Sequence, residues 1–291
     1  MSNECRYLTL NNGKIIPQIG IGVYMIWKYE DCKRAVLEAL KIGYRHIDTA
    51  QIYKNERAVG DAIRESGIPR EDIFVTTKIW LSNYKENKAK IAVDKSLERM
   101  KLDYIDLILL HQPAKNSQIA WKVLEGAVEN GKVHSIGLSN FNIKDCQEIL
   151  DIAKIKPVVN QVECHPYMQQ DELQKFLESQ KIYMEVWYPL GHGDKSLLQE
   201  LVFKQLAQKY KKTVPQIILS WHYQKNHILF PKSTNPIHIK ENLEISDLEF
   251  TEEELQMIKA LNKNKSYVEM PKWLEKISHF LSDKIPLGDK N

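Results

Sequence analysis

Ile73-Phe74-Val75-Thr76-Thr77-Lys78, followed by Glu86–Met100 and then by Ile105-Asp106-Leu107-Ile108-Leu109-Leu110-His111, is the stretch that decides the fold. Its ends are short runs rich in Ile, Val and Leu, the composition of strands buried on both faces. Between them, Ile91, Ala92, Val93, Leu97 and Met100 recur at three- and four-residue spacing, so one face of a helix packs on a sheet. Strand, helix, strand in this order predicts parallel pairing through a right-handed crossover.

The same unit recurs in both directions. Strands are predicted at 20–23, 44–47, 73–77, 105–110, 135–138, 158–162, 183–186 and 228–230, with helices over 29–41, 56–66, 86–100 and 119–130 among the connections. Gly43, Gly67 and Gly131 each fall just past a helix, where a left-handed cap favours glycine. Eight units predict a closed α/β structure, a (β/α)8 TIM barrel. An open doubly wound sheet is the alternative, but Gly20-Ile21-Gly22-Val23 lacks the third glycine of the dinucleotide-binding turn. Ahead of the barrel, residues 7–10 and 15–18 flank Asn11-Asn12-Gly13-Lys14, which predicts an N-terminal β-hairpin. After it, Trp273, Leu274, Ile277, Phe280 and Leu281 at helical spacing predict a C-terminal helical tail over 271–291, packed on the barrel. No linker or low-complexity segment divides the chain, so residues 1–291 read as one domain.

A net charge of +3 with lysines and glutamates interspersed gives no reason to expect nucleic acid as a partner. Cys5, Cys32, Cys146 and Cys164 are scattered and form no C-x-x-C pair, which fits a reducing compartment. Cys164-His165 makes a poor metal site, because neighbours on a strand point to opposite faces. The start of the chain lacks an apolar signal core, and 105–110 is too short to span a bilayer. The expectation is a cytoplasmic monomer with no membrane partner.

In a parallel barrel the working groups sit at the C-terminal ends of the strands. Asp48 follows the second strand with Tyr53 in the same loop, Lys78 follows the third, and His111 follows the fourth. Ser139-Asn140 closes the fifth, Gln161 and Glu163 end the sixth, Trp187 ends the seventh, and Lys232-Ser233 closes the eighth. Taken singly, Asp48 reads as an N-cap and Lys78 as a solvated lysine. Convergence on one rim gives them a chemistry. A lysine cation beside a tyrosine lowers the phenol pKa, and a carboxylate keeps that lysine charged. Asp48, Lys78 and Tyr53 thus predict a tuned proton donor, with His111 holding a carbonyl. A carbonyl protonated on one side needs hydride on the other, which calls for a nicotinamide cofactor.

Nearly the whole chain resembles the aldo-keto reductases, in particular the compact microbial-type members. His46-Ile47-Asp48-Thr49-Ala50-Gln51-Ile52-Tyr53-Lys54-Asn55-Glu56 is similar to the family's first signature. Ile136-Gly137-Leu138-Ser139-Asn140-Phe141 and Asn160-Gln161-Val162-Glu163, with His165-Pro166 after it, resemble the second, and Phe230-Pro231-Lys232-Ser233-Thr234 with Glu241-Asn242 resembles the third. The resemblance implies NADPH-dependent reduction of a small-molecule aldehyde or ketone, with NADH as a possible substitute. It makes Tyr53 the general acid, Asp48 and Lys78 its tuning pair, and His111 the carbonyl-orienting group. Ser139, Asn140 and Gln161 match positions holding the nicotinamide carboxamide, and Trp187 matches the ring stacked on the nicotinamide. Gly22, Val23, Tyr188 and Leu190 match further cofactor positions, and Lys232, Ser233, His238 and Asn242 those at the adenosine end. Tyr24, Ile52, Trp80 and Gln112, with His111, match the substrate pocket.

Three positions depart from the family pattern. Tyr188 stands where a small residue is common near the pyrophosphate. His238 stands where an arginine often meets the 2′-phosphate of NADPH, and a histidine is only partly charged near pH 7. Gln112 replaces a frequent tryptophan, and only nine residues separate His111 from Trp121, so the pocket is expected to be open and more polar on that side. Two rival readings are a reductase-like barrel serving as a cofactor-sensing or structural subunit, and an aldolase or isomerase using Lys78 as a Schiff base. The first gives Lys78 beside Tyr53 no purpose. The second leaves Ser139-Asn140 and the Lys232 segment without a role.

Overall fold

A computed structural model describes residues 6–245 and 248–268. The expected tail over 271–291 and Cys5 lie outside the described residues. Strand and helix alternate in the order β1 (Tyr7–Thr9), β2 (Ile15–Pro17), β3 (Ile21–Gly22), α1 (Tyr29–Ile42), β4 (His46–Asp48), α2 (Glu56–Glu65), β5 (Phe74–Ile79), α3 (Glu86–Met100), β6 (Ile105–Leu110) and α4 (Ser117–Glu129). They continue with β7 (Val133–Ser139), α5 (Ile143–Leu150), β8 (Val159–Glu163), α6 (Asp171–Ser179), β9 (Tyr183–Trp187), α7 (Lys195–Leu198), α8 (Leu201–Tyr210), α9 (Val214–Gln224), β10 (Ile228–Leu229), α10 (Pro236–Leu243) and α11 (Glu252–Lys259). All eight expected barrel strands are present, with ends displaced by a residue or two.

Strands β3 to β10 form one parallel sheet in chain order. It closes where Gly20 N–H donates to Leu229 O at 2.8 Å and Leu229 N–H donates to Gln18 O at 2.8 Å. Gly20 makes that seam possible: a Cβ there would lie 2.8 Å from the Phe230 ring and 2.9 Å from His46 O, closer than real packing allows. Gly43, Gly67 and Gly131 adopt positive φ values of 123°, 69° and 71° after α1, α2 and α4, as the caps require.

The period of two along each strand sorts side chains into two sets. Ile47, Val75, Ile108, Leu110, Ile136, Leu138, Val162 and Val186 pack outward against the helices in the larger core cluster. Phe74, Leu107, Leu109, Val159, Ile228 and Phe230 pack in the barrel interior with Leu8, Leu10 and Ile16 of the hairpin. The hairpin therefore stoppers the N-terminal end of the barrel. Its turn is held to the barrel by Asn11, which donates to Pro157 O at 2.8 Å, and by Asn12, which donates to Ser135 Oγ at 3.0 Å. Among the described residues no helix is long and apolar enough to cross a membrane.

Candidate active site

At the opposite end of the barrel the interior turns polar. Asp48, Lys78 and His111 end or follow β4, β5 and β6, and all three are buried. Lys78 Nζ donates to Asp48 Oδ1 at 2.7 Å, to Asp48 Oδ2 at 2.5 Å and to Thr49 O at 2.9 Å. Three acceptors satisfy the three ammonium protons. One layer below, His46 bridges Pro17 O at 3.1 Å and Thr76 Oγ1 at 2.9 Å, and burial drops its pKa to about 3.

Tyr53 lies in a single 3-10 turn, Gln51–Tyr53, and Lys78 Nζ sits 5.1 Å from its ring centroid. Lys78 and Tyr53 are thus brought together as the sequence predicts. Burial, followed by the Asp48 charge, pushes Tyr53 well above its ordinary value of 10. Every Lys78 proton is committed to Asp48 or Thr49, so the ammonium reaches the phenol only through its charge. Tyr53 is a fully protonated phenol at neutral pH. Burial, aided by the Lys78 charge, holds His111 well below 6.5, so this imidazole is neutral. Its Nδ1 is buried without a partner, and its ring stands edge-on to Tyr53 at 5.8 Å and to Trp80 at 5.1 Å.

Asn140 ties three elements together in a left-handed conformation, φ 64°. Its Nδ2 donates to His111 O at 3.1 Å and to Ser139 Oγ at 3.0 Å, and its Oδ1 accepts from Trp187 Nε1 at 2.9 Å. Gln161 Nε2 donates both to Asp48 Oδ2 at 3.1 Å and to Glu185 Oε2 at 3.0 Å.

These groups open into one cavity of about 650 Å³. Of the sequence-predicted residues, Gly22, Tyr24, Asp48, Ile52, Tyr53, Trp80, His111, Gln112, Ser139, Asn140, Gln161, Trp187, Tyr188, Leu190 and Lys232 line it. Five of the expected residues do not. Lys78 lies behind Asp48. Val23 is fully buried and serves through its backbone, donating to Asp48 O at 3.1 Å and accepting from Asn55 Nδ2 at 3.0 Å. Ser233 is half-buried and bonded within its own turn to Asn235, while His238 is exposed and Asn242 buried on α10.

Other lining residues escaped the sequence reading. Trp27 stands edge-on to Tyr24 at 6.0 Å, and His192 lies 4.6 Å from the Tyr188 ring at the lip. Val268 reaches the cavity because the segment before it is tied down: Tyr267 N–H donates to Glu163 Oε1 at 2.7 Å and Tyr267 OH to Asp194 Oδ2 at 2.6 Å. Only the tyrosine pair around Trp27 hinted at the first, and nothing local marks the last. Away from the cavity, Cys164 meets His222 and His227 rather than His165, with ligand-type atoms within 4.8 Å. His222 Nε2 faces Pro189 O at 3.2 Å, which leaves its Nδ1 to accept from His227 Nδ1 at 2.9 Å. The pair satisfies both Nδ1 atoms and leaves His227 Nε2 buried without a partner.

Residues 18–263 match the family model described as Aldo/keto reductase family. The chain belongs to the aldo/keto reductase family. It is 43% identical over 256 residues to the glyoxal reductase of Bacillus subtilis, covering 88% of this chain and 92% of that one. Among solved structures, an aldo/keto reductase from Brucella melitensis superposes with a TM-score of 0.85 at 42% identity, over 89% of this chain and 100% of that one. A Bombyx mori aldo-keto reductase in complex with NADP gives a TM-score of 0.89 at 31% identity, over 94% and 97% of the two chains. The family makes this chain an oxidoreductase of carbonyl compounds and matches the barrel with its hairpin.

Proposed function

We propose that the protein reduces aldehydes and α-oxoaldehydes to alcohols with NADPH, using Tyr53 as the general acid. One observation carries the reading: a protonated phenol, a neutral imidazole and a buried Asp48–Lys78 pair converge on the cavity that also holds Ser139, Gln161 and Trp187.

The residues present suit a nicotinamide cofactor. Trp187 offers a half-buried flat ring fixed through Nε1, Ser139 and Gln161 offer polar groups beside it, and Lys232 supplies an exposed cation at the lip. When bound, NADPH supplies hydride to the carbonyl carbon. Lys232 would meet its phosphates, with Ser233, His238 and Asn242 beyond the cavity for the adenosine end.

The chain's own residues do the proton chemistry. His111, being neutral, donates one hydrogen bond to the substrate oxygen without adding a charge to the buried site. Tyr53 delivers its proton to that oxygen as negative charge builds there, and Lys78, 5.1 Å from the ring, stabilises the phenolate left behind. Asp48 holds Lys78 in place. Tyr24, Trp27 and Trp80 make the outer wall aromatic and exclude water from the reacting carbonyl. Gln112, which also lines the cavity, offers a polar side chain for a second carbonyl, which extends the range to α-oxoaldehydes.

NADPH consumption with methylglyoxal and with benzaldehyde tests the reading, alongside Tyr53→Phe. The variant is expected to bind NADPH as tightly as the parent and to lose about 10²–10⁴-fold in kcat/KM. Near-parental turnover would sink the assignment.

A further inference from the structure

Glu185 is a buried carboxyl that the reaction above does not use. It sits in β9 directly beside Gln161 of β8, the two in register, in an otherwise apolar strand, Tyr183-Met184-Glu185-Val186-Trp187. Its side chain points into the barrel with Gln161 and is fully buried. Asp48 has taken the available cation: Lys78 bonds Asp48 and Thr49 and leaves nothing for Glu185. Glu185 Oε1 consequently has no partner, and Oε2 has one, Gln161 Nε2 at 3.0 Å.

An amide NH2 has two protons and one orientation at a time. Gln161 spends one on Asp48 Oδ2 and the other on Glu185 Oε2. Were the amide flipped, its oxygen would face the Asp48 carboxylate, lone pairs against lone pairs, and would give up both N–H bonds. The amide oxygen is therefore the group left for the cavity, which Gln161 lines.

We propose that Glu185 is a positioning residue that, together with Asp48, fixes the Gln161 amide with its oxygen toward the cavity, so that Gln161 accepts from the N–H of the cofactor carboxamide and does not donate to its C=O. The inference rests on the reading that Gln161 meets the carboxamide. It assigns Glu185 a purpose that explains a half-satisfied carboxyl in the core, where a polar atom without a hydrogen bond costs free energy. Charge strengthens the lock. The ionisable groups facing Glu185 are Asp48 from β4 and Lys78 from β5, with Gln161 beside it on β8 and Ile228 in register on β10. Burial, then the Asp48 charge, raises Glu185 to about 8. Below that pH it is a protonated carboxyl that accepts through its carbonyl oxygen; above it, it is a carboxylate that accepts more strongly and has no proton to offer a flipped amide oxygen.

The test compares affinity for NADP⁺ with that for its 3-acetylpyridine analogue, in which a methyl group replaces the carboxamide NH2. The wild type is expected to prefer NADP⁺ by roughly three- to tenfold, the net worth of one hydrogen bond. Glu185→Gln, whose side-chain oxygen still accepts from Gln161, should keep the preference. Glu185→Leu frees one Gln161 N–H to turn and donate to either carbonyl, so the preference should fall toward one. In the wild type the preference should also rise as pH passes about 8, and stay level in Glu185→Gln. This pair of curves does not need the leucine variant to fold. A Glu185→Leu protein with undiminished preference, or the same pH course in wild type and Glu185→Gln, would overturn the inference. Gln161→Ala separates the two levels: if it leaves the preference intact, Gln161 does not meet the carboxamide and the site reading itself fails.

Discussion

The two ends of this barrel are built from the same strands and solve opposite problems. At the hairpin end, Leu8, Leu10 and Ile16 fill the interior against Phe74, Leu107 and Val159, and the layer is dry and apolar. At the other end, Asp48, Lys78, Gln161 and Glu185 are just as buried, yet they are polar and hold one another through hydrogen bonds. The first arrangement contributes stability by removing apolar area from water. The second gains little net stability, because burying charges costs about what pairing returns. What it produces is a fixed set of dipoles and protons at a cavity floor. Within the barrel interior the apolar layer fills one end and the polar groups occupy the other.

That contrast can be broken by substitution at either end. Lys78→Met leaves Asp48 buried without a counter-charge and is expected to cost about 3–5 kcal/mol of stability together with most activity. Denaturant unfolding alongside a turnover assay would show both losses; loss of activity with unchanged stability would mean the pair is not buried as described. At the stoppered end, Ile16→Ala removes a fully buried side chain from the hairpin. It should cost about 2–5 kcal/mol and leave kcat unchanged in the protein that remains folded. A parallel fall in kcat would show that the two ends are not independent.

Acid sharpens the comparison further. His46 and His222 are each lowered to about 3, and His111 and His227 lie well below 6.5, burial being the first cause in each case. Below pH 6.5 the unfolded chain binds protons at these positions and the native protein does not, so stability is lost as pH falls. Each such histidine contributes a slope of about 1.4 kcal/mol per pH unit. Unfolding midpoints measured between pH 7 and 5 should drop steeply, and His222→Gln should flatten that drop. An unchanged slope in the variant would contradict a neutral His222 in the fold.

Smaller effects belong to the lip. Trp187→Phe keeps a flat ring but gives up the bond to Asn140 Oδ1. It should weaken NADPH binding modestly and remove one component of the tryptophan quenching expected on titration with cofactor. Quenching of equal size in both proteins would rule the stacking role out. Smallest of all, His238→Arg places a permanent charge on exposed α10 and should raise the ratio of NADPH to NADH affinity a few-fold. An identical ratio in the two proteins would remove His238 from the phosphate site.

Much of this was legible in the sequence because it depends on local rules. The period-two and period-3.6 patterns sort strands from helices, and a side chain just after a strand in a parallel barrel has nowhere to go but the rim. Asp48, Tyr53 and His111 were found on that logic, and the structure gathers them at one cavity with Lys78 behind. Val23 shows its limit: next to a lining glycine in sequence, it turns the other way and contributes only its backbone.

What only the tertiary structure decided are the properties that depend on counting partners in three dimensions. The protons of Lys78 are fully used by Asp48 and Thr49, and it is burial first that raises the Tyr53 phenol. Glu185 gave a single hint, a carboxyl in an apolar strand, yet its meaning depends on Gln161 and Asp48, 24 and 113 residues apart along the chain in the bonds that join them. Val268 enters the pocket because Glu163 and Asp194, 104 and 73 residues distant from Tyr267, hold the preceding backbone. Residue type and spacing determine which groups reach the rim. Whether a group there is charged, free or already bonded depends on the competition among neighbours that closure of the barrel brings within 3 Å of one another.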